Sequence, residues 1–156
     1  LDDVQTETAD LLELRRLVDA YASAVDDRDG AAMAALFVPD GALLVYEAGS
    51  EELAYSYRGP DELATVASEM ERLYERTFHF VGNFVCDVDG DRATGSPYCV
   101  AQHLRDDGRG PQIVVMPVRY RDTYVRTPAG WRFEERICIV QWRERRLAMQ
   151  WPPSPL

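Results

Sequence analysis

One change of rhythm constrains this chain more than any single motif. Up to about Arg76 the apolar residues recur at steps of three and four. Beyond Arg76 they recur at steps of two, and the new period persists almost to the end. A chain that reads helix first and alternating strand afterwards cannot wind as βαβ units. It belongs to the α+β class, with helices collected on one face of an antiparallel meander.

The helical part resolves into three pieces. From Thr8 to about Val25 the stripe is Leu11, Leu14, Val18, Tyr21 and Val25, with Thr8 expected to cap the start. "DDRDG" ends that helix. Asp29 is placed to cap a short second one, Ala31 to Phe37, which Pro39-Asp40-Gly41 stops. "ALLVYEA" reads as a strand and is followed by a polar stretch. Gly59-Pro60 then opens a third helix with Leu63, Val66 or Ala67, Met70, and Leu73 or Tyr74 on its apolar face.

Four strands are expected after it: about Phe78 to Val88, Ala93 to Leu104, Ile113 to Arg126, and Trp131 to Trp142. Asp89-Gly90 suits a tight hairpin. The prolines of "QWPPSPL" bar further sheet, so residues 146–156 read as a tail, with Trp151 a candidate to pack across a pocket mouth. Neither an internal repeat nor an interdomain linker stands out. The reading is one domain over residues 1–156 with its core at about 8–145. A strongly bent sheet with helices on one face leaves a cone, and a cone of this size suits a small apolar ligand.

Composition narrows the partners. A formal charge of −10 argues against nucleic acid, whose phosphates need clustered basic residues. Glu144 interrupts the basic run of Arg143, Arg145 and Arg146, which reads as a solvated strand edge. No apolar run reaches the length of a membrane span, and the acidic start does not read as a signal peptide. Cys86, Cys99 and Cys138 are odd in number, lack CxxC spacing and sit in apolar surroundings. Buried reduced thiols in the cytoplasm are the expectation. All 17 basic residues are Arg, which excludes a lysine Schiff base, and there is no GxSxG elbow, phosphate loop or dinucleotide fingerprint.

The chemistry is left to a few side chains. His79 shares a strand face with Val81, Asn83 and Val85, while Phe78, Phe80, Phe84 and Cys86 take the other face. It reads either as a surface or hydrogen-bonded core histidine or as a general base. His103 lies 24 positions on, and the two could meet across paired strands. A metal would need a third ligand at suitable spacing, so no metal and no cofactor are expected. Asp26 is the partner to consider for His79, because a carboxylate on one ring nitrogen frees the other as a base. On an unbroken helix Asp26 would fall on the solvated face. Yet Asp26 and Asp27 oppose the helix dipole and ask for a cationic answer. Tyr21 and Tyr46 are either core packing or hydrogen-bond donors in an apolar wall. Arg136, in phase with Cys138 and Val140, is a buried cation needing an anion if that face is internal, and a surface ion-pair member if it is not.

Three stretches, "YASAVDDRDGAAMAALFVPDGAL", "TFHFVGN…VDGDRATG" and "YRDTYVRTPAGWRFEERICIVQW", carry a resemblance in their order and spacing. Over about Leu11 to Trp142 the chain resembles the SnoaL-like, scytalone dehydratase-like branch of the nuclear-transport-factor-two-like superfamily. That resemblance implies a cone-shaped, strongly curved, mostly antiparallel sheet with three N-terminal helices. It implies an Asp–His pair at Asp26 and His79, a second histidine at His103 and a water-holding tyrosine at Tyr46. The second such tyrosine would fall at Val25 and is absent. The Ser and Asn of the fourth strand are replaced near Val118 and Tyr120, which makes scytalone itself an unsuitable substrate. Tyr21 with Asp26 is closer in spacing to bile acid dehydratases, and Arg136 matches an Arg of hexachlorocyclohexane dehydrochlorinase, whose catalytic lysine has no counterpart here.

The functional expectation is a cofactor-free lyase eliminating from a hydrophobic cyclic, polyketide- or steroid-like molecule. His79, Asp26, Tyr21, His103 and Tyr46 are its candidate catalytic residues, and Arg136, Asn83 and Tyr120 candidate substrate-binding residues. An isomerase or polyketide cyclase would use the same base, and a non-catalytic binding or assembly domain would not need it. A homodimer or homotrimer is expected, with Tyr120, Tyr124, Ile137 and Ile139 candidates for the outer surface of the sheet.

Overall fold

The computed structural model describes residues 2–149, so the suggestion for Trp151 lies outside the described residues. Helix α1 runs Asp2–Asp26 and begins well before Thr8, which is an interior residue of it. Its buried face carries Leu14, Leu17, Val18, Tyr21 and Val25. Helix α2, Gly30–Ala34, is capped by the Asp29 side chain, which accepts from Ala32 N at 2.8 Å. It is shorter than expected, because Phe37 already belongs to strand β1, Phe37–Glu47. Pro39-Asp40-Gly41 makes an irregularity within β1 and not the stop before it. The polar stretch holds an unexpected strand, β2, Leu53–Arg58, in which Leu53, Tyr55 and Tyr57 alternate with Ala54, Ser56 and Arg58. Helix α3, Gly59–Leu73, opens at Gly59-Pro60 and buries Leu63, Val66 and Ala67.

The alternating half forms seven strands where four were expected: β3 Arg76–Val81, β4 Cys86–Asp89, β5 Arg92–Gly95, β6 Tyr98–Asp106, β7 Pro111–Thr127, β8 Gly130–Val140 and β9 Glu144–Leu147. The backbone leaves the ladder at Gly82–Val85 and again at Ser96-Pro97, which splits two of the expected strands. The first break also reverses parity. His79 and Val81 face inward before it, and Phe84, Cys86 and Val88 pack against the core after it. Phe78 and Phe80 stay outside. The Arg143–Arg146 run lies partly in β9, a short strand pairing with β7.

One curved sheet results, ordered β2-β1-β8-β7-β5-β4, with β6 between β3 and β7. All pairs are antiparallel except β1 with β8. The long β7 sets the curvature: its first half pairs with β6 and its second half with β5. Helix α1 packs against β3, β4 and β8, and α3 against β1 and β2. Trp131, Phe133, Tyr124, Leu14 and Leu63 fill the closed end of the cone. No helix among the described residues is long and apolar enough to cross a membrane.

Candidate active site

The site starts where α1 stops. Asp29 N bonds Ala24 O at 2.9 Å and Arg28 N bonds Val25 O at 3.3 Å, the paired contacts of a Schellman C-cap. Arg28 occupies its left-handed position, with φ of 60°, where glycine is usual. Asp26 keeps its place in the helical row of Ala22, but β3 packs against that row, so it is not the solvated face expected and the carboxylate meets β3.

There it is held by three donors. His79 Nδ1 and the Thr77 hydroxyl each reach Oδ1 at 2.7 Å, and the His79 backbone N–H reaches Oδ2 at 2.8 Å. Burial pushes the Asp26 carboxyl up, but the bonds from His79 and Thr77 outweigh it and hold it down at about 2. An ionised carboxylate only accepts, so His79 Nδ1 carries the proton and a neutral ring leaves Nε2 bare. The imidazole is 9% exposed and the carboxylate 23%.

His103 faces the same hollow. Strands β3 and β6 pair His79 with Ala101 and Thr77 with His103, and the two Nε2 atoms stand 3.5 Å apart. Burial, and secondarily the neighbouring His79, push His103 down to about 3. A neutral His103 that donates from Nε2 to His79 leaves its own Nδ1 as an acceptor. Among the described residues that Nδ1 is buried and has no hydrogen-bond partner. The Tyr74 ring lies 4.4 Å from the His103 ring, centroid to centroid.

The cavity measures about 430 Å³. Tyr21, Tyr120, Ala101, Val118 and Val140 form its buried floor, and Tyr55, Arg72, Leu73 and Arg143 are its exposed members. Among the described residues the Tyr21 hydroxyl has no hydrogen-bond partner. Its proton is held more tightly than usual, because burial outweighs the nearby Arg136 charge. Two larger depressions, about 700 and 530 Å³, lie against other parts of the sheet and do not include the histidines.

Tyr21, Asp26, His79, His103 and Tyr120 thus come together. Arg136 faces inward but lies behind the floor, its guanidinium 4.3 Å from the Tyr21 ring centroid and 4.1 Å from that of Tyr120. Asp122 answers its charge from β7 at 2.9 and 2.7 Å and also accepts from the Tyr124 hydroxyl at 2.7 Å. Tyr46 is not in the cavity. Strand alternation sends Leu43 and Val45 inward, and Tyr46 lines an outer depression with Ile137 and Ile139. Asn83 is exposed in the break after β3, where parity no longer ties it to His79. Tyr120 and Tyr124 are buried inside the cone and not on the outer surface suggested for them.

Sequence reasoning missed Asp122, Thr77 and Arg28. Thr77 carried a signal, lying two residues before His79 on one strand face. Asp122 carried another, an acid in phase with Tyr120 and Tyr124. Among the described residues no group of three His, Cys, Asp or Glu side chains is arranged to hold a metal ion.

A helix-backed cone of mostly antiparallel sheet places the chain in the class of NTF2-like, cystatin-like folds. Within that class the chain belongs to the SnoaL-like domain family, whose model matches residues 6–137. An uncharacterized protein of Mycobacterium tuberculosis is 29% identical over 131 residues, 84% of this chain and 85% of that protein. Among solved structures, LinA superposes with a TM-score of 0.80 at 18% identity, over 98% of this chain and 99% of that chain. A putative scytalone dehydratase from Novosphingobium aromaticivorans gives 0.75 at 21% identity, over 97% of each chain. At these identities the two superpositions establish shared fold.

Proposed function

We propose that this chain is a lyase that removes a proton from carbon and eliminates a leaving group from a hydrophobic cyclic molecule, using side chains alone. One observation carries the reading: Asp26 binds His79 Nδ1 at 2.7 Å inside a largely apolar cavity, which leaves Nε2 as the base. Solved neighbours described as a putative scytalone dehydratase and as hexachlorocyclohexane dehydrochlorinase support elimination as the reaction type.

The substrate displaces the long contact from His103 and presents a C–H next to a carbonyl to His79 Nε2. The proton moves to Nε2 and the C–H electrons pass into an enolate. Its oxygen accepts from the Tyr21 hydroxyl or from the freed His103 N–H. The enolate then reforms the carbonyl, a C=C bond forms, and the leaving group departs with its electron pair. The imidazolium of His79 is the acid that protonates it. His103, held neutral, acts as a hydrogen-bond donor and not as an imidazolium acid. An isomerase or cyclase would share the first step and differ in the fate of the enolate.

Self-association belongs to the same reading. Phe78 and Phe80, 57% and 61% exposed, lie on the outer face of β3, where a second copy would cover them. Light scattering of the wild type and of Phe80→Glu tests this: a dimer or trimer that becomes monomeric is expected, and a monomeric wild type refutes it. Three free thiols suit a reducing compartment such as the cytoplasm.

The mechanism is tested with 5-nitrobenzisoxazole, whose ring opens on loss of one carbon-bound proton. Saturable turnover is expected, falling by about 10²-fold or more in His79→Ala and Asp26→Asn while both variants stay folded. Wild-type turnover in both variants, or none in the wild type, counts against the base.

A further inference from the structure

We infer that Arg28 and Thr77 are positioning residues, a two-step relay that locks Asp26, and through it His79, into one geometry. The inference deepens the reading of Asp26–His79 as the base and rests on it.

The relay has a forced direction. Arg28 Nη1 lies 2.8 Å from Thr77 Oγ1, and Thr77 Oγ1 lies 2.7 Å from Asp26 Oδ1. A guanidinium only donates and an ionised carboxylate only accepts. The hydroxyl has one proton, so it accepts from Arg28 and donates to Asp26. Both bonds are charge-assisted, and each orients the other. The oxygen reached in this way is the one that also receives His79 Nδ1.

Asp26 needs such a hold. It sits at the C-terminal end of a helix, where the dipole repels a carboxylate, and it is more exposed than the ring it orients. Released, it can rotate toward solvent and leave the imidazole free to exchange tautomers. Arg28 supplies the cation that this acidic helix end requires.

The backbone at Arg28 points the same way. Among the described residues Arg28 is the non-glycine residue with positive φ. Glycine would cap α1 there without strain, yet the chain places a long cationic side chain in the strained position. Arg28 Nη1 also bonds Val25 O at 3.2 Å, so ordinary capping of the last helical carbonyls is the competing account.

Arg28→Gly separates the two accounts, since it keeps the cap geometry and deletes only the side chain. In the full-length protein labelled with ¹⁵N-histidine, the wild-type His79 ring should give one tautomer, with Nδ1 protonated. In Arg28→Gly and Thr77→Val the ring signals should average over two tautomers, and Thr77→Ser should restore the single form. Arg28→Gly should melt close to the wild type, because an unstrained glycine cap offsets the two lost bonds. With 5-nitrobenzisoxazole, kcat should fall roughly tenfold in either variant with KM unchanged, as for outer partners of a working histidine. Because the steps act in series, the double variant should be no worse than Thr77→Val alone. Wild-type ring signals in Arg28→Gly, or losses that multiply in the double variant, overturn the relay. The ring signals report on it even if the protein lacks turnover, so its failure is distinct from failure of the lyase reading.

Discussion

Asp26 takes two hydrogen bonds from one residue: the ring and the backbone N–H of His79 close on its two oxygens at 2.7 and 2.8 Å. This contact joins the end of α1 to β3 as well as orienting the imidazole, so it links folding to pH. The Asp26 carboxyl titrates at about 2 when folded, against an ordinary value of 3.8. A depressed acid contributes fully above its unfolded value and loses that contribution as pH falls through its folded one. The difference corresponds to at most about 2 kcal/mol, reduced by solvent at a partly exposed group. Urea unfolding should therefore find Asp26→Asn less stable than the wild type at pH 6, with the gap closing between about pH 4 and 2. A gap independent of pH would mean that the carboxylate is not held as described.

The Arg136–Asp122 pair makes a different demand. Its side chains are 1% and 0% exposed. Burial alone would lower the Arg136 pKa, but the Asp122 charge and hydrogen bonds raise it above its ordinary value. Removing one partner strands a buried charge, at a cost of about 3–5 kcal/mol. Asp122→Asn should lose that much in urea unfolding, whereas Arg136→Met with Asp122→Leu should recover most of it. A loss below about 1 kcal/mol in Asp122→Asn would show that water reaches the guanidinium.

The sequence announced much of this architecture because its periods were long and clean. Leu14, Val18, Tyr21 and Val25 marked the buried face of α1, and alternation after Arg76 marked the sheet. Local breaks were harder to read. Gly82 marks a break or bulge in a strand pattern but not which parity follows it, so Asn83 was assigned to the wrong surroundings. Strand β2 was missed although Leu53, Tyr55 and Tyr57 alternate in it, because the run is short and largely exposed. At the site, an imidazole in an apolar strand and acids at a helix C-terminus both break local rules and drew attention to His79 and Asp26, but pattern left each readable as a surface residue, and the family resemblance paired them. Asp122 broke the same rule and was passed over. Tyr46 was offered as a donor in an apolar wall and again through the family resemblance, and strand parity puts it outside the cavity. The shape of the hollow depends on β7 serving two partner strands, a long-range relation that local pattern does not carry.

Helix α2 crosses α3 so closely that a side chain at Gly30 would overlap the backbone carbonyl of Ala64. Helix propensity alone makes Gly30→Ala favourable by up to about 1 kcal/mol. Overlap with a backbone atom cannot be relieved by a rotamer change, and overpacking of this kind costs about 1–3 kcal/mol. The overlap should win. Thermal unfolding should find Gly30→Ala lower in Tm by several degrees, and a variant as stable as the wild type would mean that the two helices can separate freely.

His103 supplies the sharpest acid test of the cavity. The ring is 4% exposed and its Nδ1 lacks a partner. Its folded pKa is about 3 against an ordinary 6.5, chiefly because burial disfavours the charged ring. Between those values the unfolded chain binds a proton that the folded chain refuses. Stability is therefore complete above about pH 6.5 and drains away as pH falls toward 3. His103→Leu replaces the ring with an apolar group and removes the buried atom that has no partner. The variant should match the wild type at pH 7 to within about 1 kcal/mol and exceed it at pH 4. Its stability should decline only where Asp26 and other carboxylates begin to protonate. Urea midpoints at pH 7, 5 and 4 decide the matter. Parallel declines in the two proteins would mean that His103 takes up its proton without unfolding, against the burial of its ring.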